Sequence, residues 1–205
     1  MTPRSFRGLF WTVVAIGLAL DLGTKYAMFR ALWRPSGEGR CEIIPGVFRL
    51  IAQFTEAPIE TGWRAPLQRL NGPVLPRVNQ GALFGVGGDF QKHANAFFAV
   101  VSVCAAVAIL WWMRHPAAAA DRTLSLALGL ILAGTLGNLF DRIVFHGVRD
   151  FLYFYWFEWP VFNFADCFLV AGAGLLLLQS FCTSHDQKSA EPAATELATT
   201  ASKSV

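Results

Sequence analysis

Four long apolar runs, separated by polar stretches of unequal length, organise this chain. A helix needs about 20 apolar residues to cross the hydrocarbon core of a bilayer. Residues 94–113 and 123–140 carry no charge at all, and the second run continues as a helix pattern to about 143. Residues 161–182 are long enough to cross and hold one charge, Asp166, near their start. The first run, about 8–28, is interrupted by Asp21 and Lys25, which are one helical turn apart and so share a face on which they can neutralise each other at the membrane edge. The pattern predicts an all-α polytopic membrane protein with four transmembrane helices. Between the first two runs, residues 29–92 contain Pro35, Pro45, Pro58, Pro66, Pro73 and Pro76, too many breakers for a long helix. Within that loop VFRLIAQF has the β-branched and aromatic content of a short strand, which predicts a small β-rich element outside the membrane.

The first run has a competing reading, because Arg4 and Arg7 followed by LFWTVVAIGLAL resemble the start of a secretory signal peptide. No small-x-small cleavage site follows Leu20, so an uncleaved span is expected. Residues 1–182 then form one four-helix membrane domain. Residues 183–205, rich in Ala, Thr and Ser and poor in large apolar side chains, are expected to be a disordered tail.

Composition agrees with a membrane protein: 54% of residues are hydrophobic and 15% are charged, with a mean hydropathy of +0.43. The net charge of +3 is spread along the chain with no dense run of Lys or Arg, which argues against a nucleic-acid partner. The four cysteines, Cys41, Cys104, Cys167 and Cys182, show no metal-ligand spacing, so neither a metal site nor a cofactor is expected. Arg4 and Arg7 at the amino terminus and Arg114 and Arg122 in the short loop place both termini in the cytoplasm by the positive-inside rule; loop 29–92 is too long for that rule to apply. The segments 29–92 and about 145–160 are then extracytoplasmic.

Charged groups near a span are costly and are functional candidates by default. Asn138, Asp141 and Arg142 share one face of the third run behind the small-residue stretch AGTLGN. Asn163 and Asp166 repeat an amide and carboxylate three residues apart at the start of the fourth run, where Pro160 suits the helix opening. A lone Asp166 could simply favour a helix amino terminus. That does not account for Asp150 on the same side of the membrane, joined to it by a segment in which nine of the fourteen residues from Phe151 to Phe164 are aromatic, an interfacial belt. Two carboxylates held together in a poorly hydrated site cannot both ionise easily, and the pair supplies an acid and a base in one place. Such a pair can add water to an amide. Glycoside cleavage would be out of place at a lipid boundary, and neither a GxSxG elbow, an HExxH motif nor a GxGD signature is present. The rival from another class is a proton-coupled transporter or channel component, which would carry polar residues through the bilayer depth.

Five blocks in order, DLGTK at 21–25, NQGALFG at 79–85, AGTLGNLFDR at 133–142, GVRDF at 147–151 and FNFAD at 162–166, make the sequence resemble the lipoprotein signal peptidase (signal peptidase II) family of bacterial inner-membrane aspartic proteases. The resemblance implies Asp150 and Asp166 as the catalytic pair. Asn79, Gly81, Asn138, Asp141, Arg142 and Asn163 would contact substrate or support the site, and Asp21 and Lys25 would form a structural tie. It also implies a substrate: a prolipoprotein carrying a diacylglyceryl cysteine, cut just before that cysteine by a globomycin-sensitive, monomeric enzyme in contact with membrane lipid. The active site would lie at the outer face. One departure from the family is an insertion at about 53–77, which could be a lid, a partner surface or a neutral loop, and whose removal is expected to leave catalysis measurable.

Overall fold

The computed structural model describes residues 4–81 and 89–182, the last with side chains from 93 onward; the tail 183–205 and most of the NQGALFG block lie outside the described residues. Among the described residues, four helices are long and apolar enough to cross a membrane: α1 (Arg7–Leu32), α3 (Asp89–Trp112, apolar from His93), α5 (Arg122–Phe145) and α6 (Phe164–Cys182). Two short helices, α2 (Ala65–Arg69) and α4 (Pro116–Ala120), each open on a proline in the first turn, where its missing N–H costs nothing. Asp121 caps α5, its carboxylate accepting from the Leu124 amide at 2.9 Å.

α5 is the central helix. More than half of its apolar stretch is buried, against 11% for α3 and α6. Lipid is as apolar as leucine, so helices in a bilayer associate through close packing rather than through expulsion of water. The glycines of α5 permit that approach: a Cβ at Gly134 would collide with the Ala165 carbonyl of α6, and one at Gly137 with the Asp21 carboxylate of α1. Phe10, Val14, Ala106, Ile109, Leu128 and Leu132 fill the other end of the bundle.

At the end where α1 leaves and α6 begins sits a four-stranded antiparallel sheet. β1 (Glu38–Ile44) pairs with the long β2 (Phe48–Pro58); β2 also pairs with β3 (Val74–Pro76) and with β4 (Leu152–Phe154). Gln53 stands opposite Glu38 in the β1/β2 ladder, so the first residues of the expected insertion belong to the sheet itself. The sheet packs on the end of α1 through Phe29, Leu32, Ala52, Phe54, Phe151 and Leu152.

Two boundaries differ from the sequence reading. α1 runs to Leu32, because nothing in YAMFRAL breaks a helix before Trp33. α6 starts at Phe164 rather than 161, leaving Pro160 four positions ahead of the helix, because Phe162 is bridged to Leu152 in the sheet. The aromatic segment is correspondingly not a uniform belt: Phe151 is buried and Leu152–Phe154 form β4, while Trp156, Phe157 and Trp159 are exposed.

Candidate active site

Asp150 is held by the sheet and Asp166 by a helix start. On one side of Asp150, Val148 and Asn79 exchange both backbone hydrogen bonds at 2.8 Å; on the other, the Phe151 amide donates to the Phe162 carbonyl and its carbonyl accepts from the Ile51 amide, each at 3.0 Å. Asp166 is the third residue of α6. Its carboxylate accepts from the Asn163 amide at 3.1 Å while the Asn163 side-chain oxygen accepts from the Asp166 amide at 3.2 Å, a reciprocal capping box written Asn-x-x-Asp. Asp166 therefore serves the helix start, which does not prevent its carboxylate from also lying among the amides that hold Asp150.

Asn163 connects the two carboxylates. Its Nδ2 donates to Asp150 Oδ1 at 2.7 Å and to Asn138 Oδ1 at 3.3 Å. Asn138 Nδ2 in turn donates to Asp166 Oδ1 at 2.9 Å, and Asn79 Nδ2 to Asp150 Oδ2 at 3.1 Å. Asn79 is turned toward Asp150 by its own Oδ1, which accepts from the Gly81 amide at 2.9 Å; Gly81 sits at φ +94°, a left-handed conformation that suits glycine. Burial, and after it the charge of Asp166, push the Asp150 carboxyl up to about 7, against the opposing hydrogen bonds from Asn163 and Asn79. The guanidinium of Arg142 feels the charges of both aspartates. Arg142 bonds back to the Asn138 carbonyl at 3.3 Å and lies over the Phe98 ring at 5.4 Å, while its Nε has no protein partner among the described residues.

Asp21, Lys25 and Asp141 lie beside this group, not in it. Lys25 Nζ donates to Asp21 Oδ2 at 2.8 Å and to Asn138 Oδ1 at 3.1 Å and sits 3.4 Å from Asp141 Oδ2. Asp21 Oδ1 accepts from the Ala165 amide at 2.9 Å. All three charged groups are fully buried in the bundle, where α1 meets α5, rather than at a wet membrane edge. Sequence reasoning missed Arg149, also fully buried, which donates from Nε and Nη2 to Asp141 Oδ1 and from its backbone to Asp141 Oδ2. It missed Asn71 and Gln68 as well, buried polar residues of the loop that only the fold brings to this place. Among the described residues no three His, Cys, Asp or Glu side chains converge as a metal-ligand group.

A cavity of about 470 Å³ opens at Asp150 and Asn79, with Ile51, Gln53, Arg77, Val78, Pro160 and Val161 around it. Against the neighbouring face of the sheet lies a second hollow of about 540 Å³, walled by apolar side chains that include Met28, Phe48, Leu50, Phe151, Phe162 and Phe164.

Comparison with known proteins settles the lineage. The sequence profile of signal peptidase (SPase) II matches residues 74–182. A lipoprotein signal peptidase of Rhodopirellula baltica is 36% identical, over 87% of this chain and 74% of its own length. One of Aeromonas hydrophila is 33% identical, over 85% of this chain and 89% of its own. The chain belongs to the signal peptidase II family. It is accordingly a multi-pass membrane protease, and the transporter reading is not favoured. Two solved structures of bacterial membrane enzymes share the fold, with TM-scores of 0.66 and 0.63 at 22% and 23% identity, covering 90% and 87% of this chain and 94% and 96% of theirs. The profile match begins at residue 74, so Gln68 and Asn71 fall outside it.

Proposed function

We propose that the family's reaction, removal of the signal peptide from a prolipoprotein, is carried out here by Asp150 and Asp166 as an aspartic dyad that cuts before a diacylglyceryl cysteine. The observation that carries this is the amide frame: Asn79, Asn138 and Asn163 hold two carboxylates side by side without neutralising them. Asp150, raised to about 7, keeps the shared proton and donates it to the carbonyl oxygen of the scissile bond. Asp166, which accepts from Asn138 and the Asn163 backbone, is the base that draws a proton from water as it attacks. Collapse of the tetrahedral diol sends a proton to the leaving amine and returns the pair to one proton. The Arg142 guanidinium, which lies within the field of both aspartates, aligns the peptide backbone.

Such a substrate has its acyl chains in the bilayer and its peptide bond at the surface. The apolar hollow is lined by the chain neighbours of the site residues, since Phe151 follows Asp150 and Phe164 follows Asn163. Burying an acyl chain contributes about 0.8 kcal/mol per CH₂, which gives lipid recognition ample driving force. The site then belongs at the outer face of the inner membrane with both termini inside, and globomycin should block it.

The test is to incubate purified enzyme with a diacylated prolipoprotein and follow its mobility on a gel. Wild type should cut, and Asp150→Asn and Asp166→Asn should each lose about 10³-fold or more of turnover while keeping the fold. Wild-type turnover in either variant would sink the dyad.

A further inference from the structure

Residues 59–76 are not among those that line the cavity at Asp150; they are pinned to the end of α5 behind it. Gln68 donates from Nε2 to the Val144 carbonyl in the last turn of α5 at 2.9 Å and accepts from the Glu60 amide at 3.1 Å. At the surface the His146 ring lies 3.0 Å from Arg64 Nη1 and 3.2 Å from Glu60 Oε1. Deeper in, Asn71 holds itself in place by donating to the Gln68 carbonyl at 3.3 Å and turns its Oδ1 to Arg149 Nη1 at 2.8 Å.

Arg149 is thereby committed on every nitrogen: Nε and Nη2 to Asp141, Nη1 to Asn71. The rings of Tyr26 and Phe145 lie 4.3 Å and 4.1 Å from its guanidinium carbon. Its backbone amide is bound to Asp141 at 2.9 Å, and the next residue is Asp150. The backbone of Asp150 is thus fixed on both sides, by Phe151 in the sheet and by Arg149, and the second of these fixings ends in Asn71.

We propose that Asn71 is a positioning residue for Asp150, acting through Arg149, so that the segment 59–76 is part of the catalytic scaffold and not a lid, a partner surface or a neutral loop. This rests on the dyad reading above and reverses the expectation that the segment can be removed cheaply. Without the Asn71 oxygen a guanidinium N–H is buried with no acceptor, and Arg149 must move to find one. A shift of about 1 Å in a reacting group can cost about 10²-fold in rate.

The experiment compares Asn71→Ala, Asn71→Asp and wild type on a diacylated prolipoprotein, each measured for kcat, KM and pH profile. Asn71→Ala should lower kcat about tenfold or more with KM within about twofold, and should displace the alkaline limb of the profile, since a moved Asp150 titrates differently. Asn71→Asp, which still offers Arg149 an acceptor, should recover most of kcat. A wild-type kcat and profile in Asn71→Ala would overturn the proposal, as would equal losses in the Ala and Asp variants. Should Asn71→Ala fail to fold, Arg149→Leu and Arg149→Leu/Asn71→Ala decide the matter, because no guanidinium then needs an acceptor. Equal turnover in those two supports action through Arg149; a further loss in the double variant overturns it. Wild type that does not cut would instead sink the reading of function.

Discussion

Two groups of acidic residues sit side by side at the sheet end of the bundle, and they are treated in opposite ways. Asp21 and Asp141 face cations: Lys25 touches both, and Arg149 closes on Asp141 with two side-chain nitrogens. Asp150 and Asp166 face amides, with Arg142 as the nearby positive charge. A cation fixes the charge of its partner, whereas an amide fixes only its position. The first group ties α1, α5 and the GVRD turn together, and the second, on the dyad reading proposed above, is the one that must gain and lose a proton.

That contrast can be broken from either side. The largest effect is expected from the paired group: Asp141→Asn leaves Lys25 and Arg149 short of a carboxylate in a fully buried place and should cost about 3–5 kcal/mol of stability, read as a large drop in thermal midpoint in detergent. If Asp141→Asn unfolds like wild type, the cluster is not a structural tie.

The dyad should respond to pH instead. Its folded-state value near 7 at Asp150, against 3.8 for the free side chain, means that the fold favours the neutral form. Stability from this group is fully present below about pH 3.8 and is lost as pH rises toward 7. Asp150→Asn, always neutral, should therefore gain on wild type over that window by at most about 4 kcal/mol, at about 1.4 kcal/mol per pH unit. Activity carries the same sign: kcat/KM should fall as pH climbs through about 7, when the shared proton is lost. A flat profile from pH 6 to 9 would contradict it.

The smallest effect belongs to a third kind of pair. Arg40 and Glu38 form an exposed salt bridge at 2.6 Å on the sheet edge, and Arg40→Ala should change neither thermal midpoint nor turnover measurably.

The legibility of these groups in the sequence follows their range. Asp21 with Lys25, and Asn163 with Asp166, are one helical turn apart, so spacing alone brings them together. The spans were readable because charge-free runs of about 20 residues have little other use. Asn71 and Arg149 are 78 positions apart, and nothing local in LNGP signals that a buried guanidinium needs its oxygen. Phe151–Phe162 misled for a different reason: with aromatic residues on both faces, the two-residue period of a strand is hidden, and the run reads as a belt.

The side-chain amide of Asn163 is engaged at both ends: its nitrogen serves Asp150 and Asn138, and its oxygen the Asp166 backbone. What it contributes is length. Its reach helps set the spacing of the two carboxylates, so glutamine at this position, alike in every functional group, would lengthen that link by one methylene and displace Asp150 from Asp166.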